Sequence, residues 1–411
     1  MTYRILPTAL GLVIPDGVVI PDGYATASER AWATAQQKVP SLIAKHPDRF
    51  PLYTVNGKWD FQTDSWTNWC EGFLGGQLWI LAQHTGREDL RAAAEHYSML
   101  IKERQYDHTV HDLGFLFWST WRRWFELTGD RSRDKVVVQA GRTMALRFNE
   151  KGRFLRSFLA EDSLFIDIMM NVGVIFYAAQ RTGDAELARI GYEHCLTTRR
   201  TLVRGDGSVS HEGIFDLDSG TFLRQSTQQG FKEDGSWARG EGWAMYGFGT
   251  AYRYSGDRRF LETAQDCADF YIERTGESLV PPNDWEEPNP TLQYESSAAA
   301  IAAGGLWQLA GLVQDQAKAR GYANYALRIL SRLCDHDFLS YDDPQWEGLL
   351  RHGIYHETNG LGVDESVMWG DYWFLDAMST VDRYLEHGQL GSSADLRGVN
   401  ASLGQATIVQ P

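Results

Sequence analysis

What the 411-residue sequence lacks narrows its reading first. No run approaches 18 uninterrupted apolar residues, which excludes a membrane-spanning helix and a membrane partner. Only four cysteines are present, Cys70, Cys195, Cys267 and Cys334, far apart and never as CxxC. That scatter argues against a disulfide framework or a zinc site and for free thiols in a reducing compartment. Basic residues are in deficit, with 39 Lys plus Arg against 54 Asp plus Glu and a formal charge of −15. A chain this acidic matches a phosphate backbone poorly, so nucleic acid is excluded as a partner. Sustained heptads are missing and the 40 glycines have no period, which removes coiled-coil and collagen readings. A composition 43% hydrophobic and 23% charged belongs to a folded chain, not a disordered one.

Aromatic residues are present in quantity. Fifteen Trp, 18 Tyr and 19 Phe occur, many beside Gly, Asp, His or Arg. They fit either a large core or a cleft of flat rings on which sugars stack, and composition leaves both open.

The ends read differently from the middle. Residues 4–14 (RILPTALGLVI) carry a basic residue and a short apolar run, with Ala25-Thr26-Ala27 resembling a cleavage site. Pro7, Pro15 and the polar duplication Val13–Gly17 and Ile20–Gly23 interrupt that pattern. The expected location is therefore cytoplasmic rather than periplasmic or exported. Residues 1–28 read as an N-terminal extension, 29–386 as one catalytic domain, and 387–411, rich in Gly and Ser, as a flexible tail.

Between the ends, one punctuation recurs: Thr85-Gly86-Arg87, Thr128-Gly129-Asp130, Thr182-Gly183-Asp184 and Ser255-Gly256-Asp257. Apolar-periodic segments flank each, such as Leu74–Gln83, Leu90–Ile101, Val172–Gln180 and Phe260–Ile272. Glycine suits the left-handed residue that ends a helix, and the next residue opens a turn into another. Ser297–Lys318 and Asn324–Leu333 extend the helical pattern, and only short pieces such as Ser208–Leu223 alternate like strands. The glycines stand 43, 54 and 73 residues apart, too uneven for a regular solenoid. Helical hairpins of unequal length predict an all-α fold, a closed α/α ring with functional groups in loops at one end. An open helical array is the alternative.

Three windows hold candidate chemistry. In Ser163–Asn171 (SLFIDIMMN), Asp167 sits among large apolar residues. It either caps the helix starting at Ile168, which favours the anion, or is desolvated toward the pKa of a general acid. In His108–Phe117, a His111-Asp112 pair precedes Gly114; Asp112 is either another cap or a second carboxylate facing Asp167. In Trp237–Trp243 (WARGEGW), Arg239 lies between two tryptophans, packed on them or presenting its fork to a carboxylate. Trp66 and Trp69 put two further rings before a helix, and Gly353–His356 with Gly362–Ser366 forms a polar loop before an aromatic helix. His352 and His356 stand in HGIYH, not HExxH, and no GxSxG is present. No metal or cofactor is expected.

In order, WxxGFxxG (Trp69–Gly76), HDLGF (His111–Phe115), DxMMN (Asp167–Asn171), QG (Gln229-Gly230), WxRGxxW (Trp237–Trp243), GxYH (Gly353–His356) and GVDES…WGDY (Gly362–Tyr372) resemble the unsaturated glucuronyl hydrolases, glycoside hydrolase family 88. The resemblance runs over most of residues 59–385. It implies an (α/α)6 six-hairpin toroid, a single domain with short β pieces in loops. It also implies a substrate made by polysaccharide lyases, an oligosaccharide ending in a C4=C5-unsaturated uronic acid. By the same resemblance Asp167 protonates C4 and activates water, and Asp112 assists. Trp69, Trp237 and Trp243 would line the subsites, while Arg239, His111, His211, Gln229 and Tyr355 hold polar groups. Cys70-Glu71 and Glu241-Gly242 depart from the family pattern, the latter replacing a common Gln-Ala, which bears on the preferred aglycone. The Asp112 position favours the glucuronyl branch over the unsaturated rhamnogalacturonyl hydrolases. A sugar epimerase on a similar ring, with His111 and His211 moving protons, is the other reading, and a non-catalytic helical scaffold is a third. A monomer or small homo-oligomer is expected.

Overall fold

The computed structural model describes residues 3–61, 69–288, 290, 292 and 294–388. Trp66 and most of the expected tail, 389–411, lie outside them. Among the described residues the helices are α1 (Tyr24–Lys45), α2 (Glu71–Thr85), α3 (Glu88–Leu100), α4 (Leu113–Phe117), α5 (Arg123–Thr128), α6 (Arg131–Ala145), α7 (Ile168–Asn171), α8 (Gly173–Thr182), α9 (Ala185–Thr201), α10 (Ala238–Ser255), α11 (Arg258–Thr275), α12 (Ser296–Ala310), α13 (Gln316–Leu333) and α14 (Met368–Gly388). A π turn, Trp118–Arg122, joins α4 to α5. Successive helices alternate between two layers. Inside, α2, α4–α5, α7–α8, α10, α12 and α14 each pack on the next, and α14 packs back on α2. Outside, α3, α6, α9, α11 and α13 back them, with α1 between α13 and α2. The result is the expected closed ring of six helical hairpins.

Residue chemistry sorts the layers. Every residue of α12 (SSAAAIAAGGLWQLA) is buried, because an inner helix has neighbours on all sides and small residues let them approach. Outer α13 instead buries one stripe, Tyr322, Ala326, Leu330 and Leu333, and turns its charges outward. Fully burying a large apolar side chain contributes about 1.5–3 kcal/mol, so the ring is held by its many core residues, not by one feature.

The repeated turn performs as its residues dictate. Gly86, Gly129, Gly183 and Gly256 all end helices at φ +69 to +70. The preceding hydroxyl donates back to the carbonyl four residues earlier, as in Thr182 Oγ1 to Ala178 at 2.7 Å, and accepts from the N–H two residues on. Asp130, Asp184 and Asp257 then cap the next helix. The stretch 297–318 departs from expectation: it is broken between α12 and α13. Asp315 caps α13, accepting from Ala317 and Lys318, so that helix runs unbroken to Leu333. Gly311 lets the chain pass Leu12, where a Cβ would come within 2.6 Å. Likewise 208–223 is not one strand. It holds strand Glu212–Phe215 and a turn, before strand Phe222–Ser226.

The N-terminal segment is part of the folded body. Leu6, Leu10 and Val13 donate backbone bonds to Tyr254, Arg253 and Gly311 at 2.8, 2.8 and 3.0 Å, a strap across the end where the inner helices finish. Helix α1 begins at Tyr24, inside the expected extension. No helix among the described residues is long and apolar enough to cross a membrane.

Candidate active site

Because inner and outer helices alternate, all inner helices enter the ring from the same end. Their first turns therefore converge, bringing Trp69, Asp112, Asp167, Arg239, Glu295 and Trp369 together from six separate places in the sequence. The sequence windows point to one site for this reason.

Strand pairing places Asp167. Strand Ser163–Phe165 runs antiparallel to Glu212–Phe215 with Phe165 opposite Glu212, and the ladder continues as Ile166 N–H donates to the His211 carbonyl at 2.9 Å. The next step brings His211 Nε2 to 3.5 Å from Asp167 Oδ2. His211 Nδ1 accepts backbone N–H groups from Gln228 and Gln229 at 3.1 and 3.2 Å, so the ring proton sits on Nε2 and points at the carboxyl. His111 repeats the device. Its Nδ1 accepts from Phe158 N–H at 3.0 Å, and its Nε2 lies 3.4 Å from Asp112 Oδ1. Two histidine-backed carboxyls thus face one cleft.

Neither Asp is a helix cap. Both stand at the N-cap position, of α7 and α4, yet neither side chain accepts a capping bond. Asn171, whose role the sequence did not suggest, takes that part for α4. Its Oδ1 accepts from Phe115 N–H at 2.8 Å and its Nδ2 donates to the Asp167 carbonyl at 3.1 Å. One amide therefore ties the two Asp-bearing turns together and leaves the carboxyls free. Gly114 permits it, since a Cβ there would lie 2.5 Å from Asn171 Cα. Oδ2 of each Asp is buried without a hydrogen-bond partner.

Trp69, His111, Asp112, Phe158, Phe165, Asp167, Gln229, Arg239 and Tyr355 line the cleft. The cleft encloses about 30 Å³, within about 410 Å³ of unfilled space that includes open solvent. Three expectations need correction. Trp243 has no exposed surface and packs behind Phe115, ring centroids 5.1 Å apart, so it supports the wall without forming it. Trp237 is also buried, packed against His211 with the rings tilted and their centroids 4.4 Å apart. Arg239 does lie between two indoles, but the second is Trp369, at 5.0 Å, not Trp243. Nor is its fork free. It donates to the Ile354 and Tyr355 carbonyls and to Gln229 Oε1, with Glu295 at 3.9 Å, which makes it a positioning residue for the cleft wall. Phe158 and Glu295 escaped the sequence reading because nothing local marks a residue that reaches the site from elsewhere in the chain, while Phe165 and Trp369 lay in windows already singled out but were given no role of their own.

The glycosyl hydrolase family 88 model matches residues 42–277, more than half the chain. The chain belongs to this family. It is a glycoside hydrolase. Among curated relatives, the unsaturated glucuronyl hydrolase of Bacillus sp. (strain GL1) is 31% identical over 83% of this chain and 93% of its own. The unsaturated chondroitin disaccharide hydrolase of Streptococcus pyogenes serotype M1 is 29% identical over 76% and 80%. The solved unsaturated glucuronyl hydrolase of Bacillus sp. GL1 superposes with a TM-score of 0.82 at 30% identity, covering 87% of this chain and 97% of that one. A solved unsaturated glucuronyl hydrolase specific for heparin gives 0.81 at 25%, over 90% and 98%.

The electrostatics of this family 88 site follow from burial. Desolvation raises Asp112 to about 8, helped by the charge of Asp167. Asp167 rises to about 6 by desolvation, opposed by Arg239. Between those values the pair keeps one proton, held mainly by Asp112, and Asp167 carries its own proton increasingly as pH falls toward and below about 6. Burial, and after it the nearby Arg239 and His356, lower His211 to about 3. His111 is likewise driven well below its ordinary value, by burial first and then by Arg147. Both imidazoles are therefore neutral donors.

Proposed function

We propose that this enzyme hydrates the C4=C5 double bond of a terminal unsaturated uronic acid on lyase-generated oligosaccharides and so releases the partner sugar. The observation that carries the reading is the pair of carboxyls, one proton between them, facing a ring-lined cleft with unpartnered oxygens. The substrate is a vinyl ether, with the ring oxygen on C5. In its protonated form, favoured as pH falls toward about 6, Asp167 donates its proton to C4, and positive charge appears at C5 shared with the ring oxygen. The carboxylate just formed takes a proton from water as the water's oxygen bonds to C5. The resulting hemiketal opens to a keto-uronate, and the former anomeric centre, now a hemiacetal of the open chain, expels the aglycone as a sugar hydroxyl. The net change is addition of one water. Asp112 orients that water, with the sugar stacked toward Trp69 and Tyr355, which line the same cleft. Asp112 also favours the glucuronyl over the rhamnogalacturonyl reading.

The epimerase alternative needs histidines that exchange protons. Here each Nδ1 is engaged by backbone N–H groups and each Nε2 faces a carboxyl, which supports hydrolysis instead. In the same reading residues 29–386 act as one cytoplasmic catalytic unit, a monomer or small homo-oligomer. Four buried free cysteines and an N-terminal segment docked on the ring support that location. The test is Asp167→Asn with unsaturated disaccharides, following loss of the conjugated carboxylate's ultraviolet absorbance. Turnover is expected to vanish while binding persists, and a near-normal rate would overturn the assignment.

A further inference from the structure

The ring has a second cavity, at the end where the inner helices finish and the N-terminal strap crosses. Its volume is about 230 Å³. Its walls carry four arginines, Arg122, Arg123, Arg253 and Arg383, against only Glu126 and Asp376. Arg122 pairs with Glu126 at 2.8 Å and Arg123 with Asp376. Arg253 and Arg383 have no carboxylate partner among the described residues. Arg253 Nε donates to the Leu10 carbonyl at 2.9 Å and its Nη1 reaches Gln308 Oε1 at 3.5 Å. Arg383 Nε donates to the Ser379 carbonyl at 2.9 Å. A guanidinium has five N–H groups, so most of those on both have no protein acceptor among the described residues and are available to a ligand.

This cavity therefore carries two positive charges in excess inside a chain of net charge −15. Arg253 is half-buried and Arg383 exposed, so both forks are open to a ligand entering the cavity. The remaining lining includes the rings of Trp118 and Trp307 and the Gln308 amide. Flat rings beside forked cations and an amide form a recognition surface for a small polar ring bearing an oxyanion.

We propose that this cavity binds an oxyanion-bearing ligand of monosaccharide size, such as a hexuronate, through Arg253 and Arg383, separately from the catalytic cleft. The two sites share a wall. Phe115 lines this cavity and its ring lies 5.6 Å from Trp69 of the cleft, while Gly114 and Met170 follow Asp112 and Asp167 by two and three residues.

The test uses the full chain, titrated calorimetrically with glucuronate, inorganic phosphate and neutral glucose, wild type beside Arg383→Gln. Glucuronate and phosphate are expected to bind and glucose not. The substitution should weaken both anions at least tenfold while leaving turnover of unsaturated disaccharide intact. Tighter binding of glucuronate than phosphate would mark a sugar-acid site, and equal binding a general oxyanion site; either supports the proposal. Anion affinity unchanged by Arg383→Gln would overturn it. So would wild-type crystals soaked in bromide that show no anomalous peak beside Arg253 and Arg383. Neither result depends on the fate of Asp167→Asn.

Discussion

Replacing Asp112 by Asn should stabilise the enzyme while disabling it. Asp112 is 4% exposed, and burial with the nearby Asp167 charge raises its pKa from 3.8 to about 8. An acid raised in the folded state contributes stability that is complete below the unfolded pKa and is lost as pH rises toward the folded one. From pH 3.8 to 7 the unfolded chain ionises this group and the folded chain does not. At about 1.4 kcal/mol per pH unit, the loss reaches roughly 4 kcal/mol at pH 7, a large part of ordinary protein stability. An Asn side chain has the shape of the protonated acid. It can turn its oxygen toward His111 Nε2, now 3.4 Å from Oδ1, and its amide into the cleft, with no ionisation to oppose folding. Urea unfolding followed by tryptophan fluorescence at pH 4, 5.5 and 7 measures the difference. The variant should match wild type near pH 4 and exceed it by up to about 4 kcal/mol at pH 7, with turnover down by orders of magnitude. A difference that is constant with pH, or a variant less stable at pH 7, would refute this account of the site's electrostatics.

Glu241→Gln should also stabilise, without touching the cleft. Glu241 is fully buried with only the Cys267 thiol and the Val209 backbone as polar partners among the described residues, and burial pushes its pKa well above the usual range. The gain should be absent near pH 4 and grow as pH rises above about 4.5, read from urea midpoints. Asn171→Ala should do the opposite. It leaves the buried Phe115 N–H without its 2.8 Å acceptor, costing about 1–3 kcal/mol in unfolding experiments. Because the Asp112 and Asp167 turns lose their shared tie, the rate should fall on the order of 100-fold, while Asn171→Asp, which keeps an acceptor, recovers part of it.

The ring was legible wherever a local rule decides structure. A hydroxyl, a glycine and an acid in succession encode a helix end and a helix start through bonds within a few residues, and those turns read correctly. The turn at Gly311–Asp315 did not, because that glycine serves a packing contact with Leu12, some 300 residues earlier in the chain. The same division runs through the site. Asp112 and Asp167 stand out because an acid among large apolar side chains is costly wherever it lies. Asn171 does not, since its partner Phe115 is 56 residues away. Arg239 was read between Trp237 and Trp243, its neighbours in sequence. The helix turns Trp243 behind Phe115, and Trp369 arrives from the last hairpin in its place.

The strap across the far end of the ring has a temporal consequence. Leu6 and Val13 are synthesised well before the carbonyls that receive them, at Tyr254 and Gly311, which emerge hundreds of residues later. This segment must therefore wait unattached while most of the ring is made. Its docking acts as a latch thrown late in assembly, and a bulky fusion ahead of it would burden that closing step before any other.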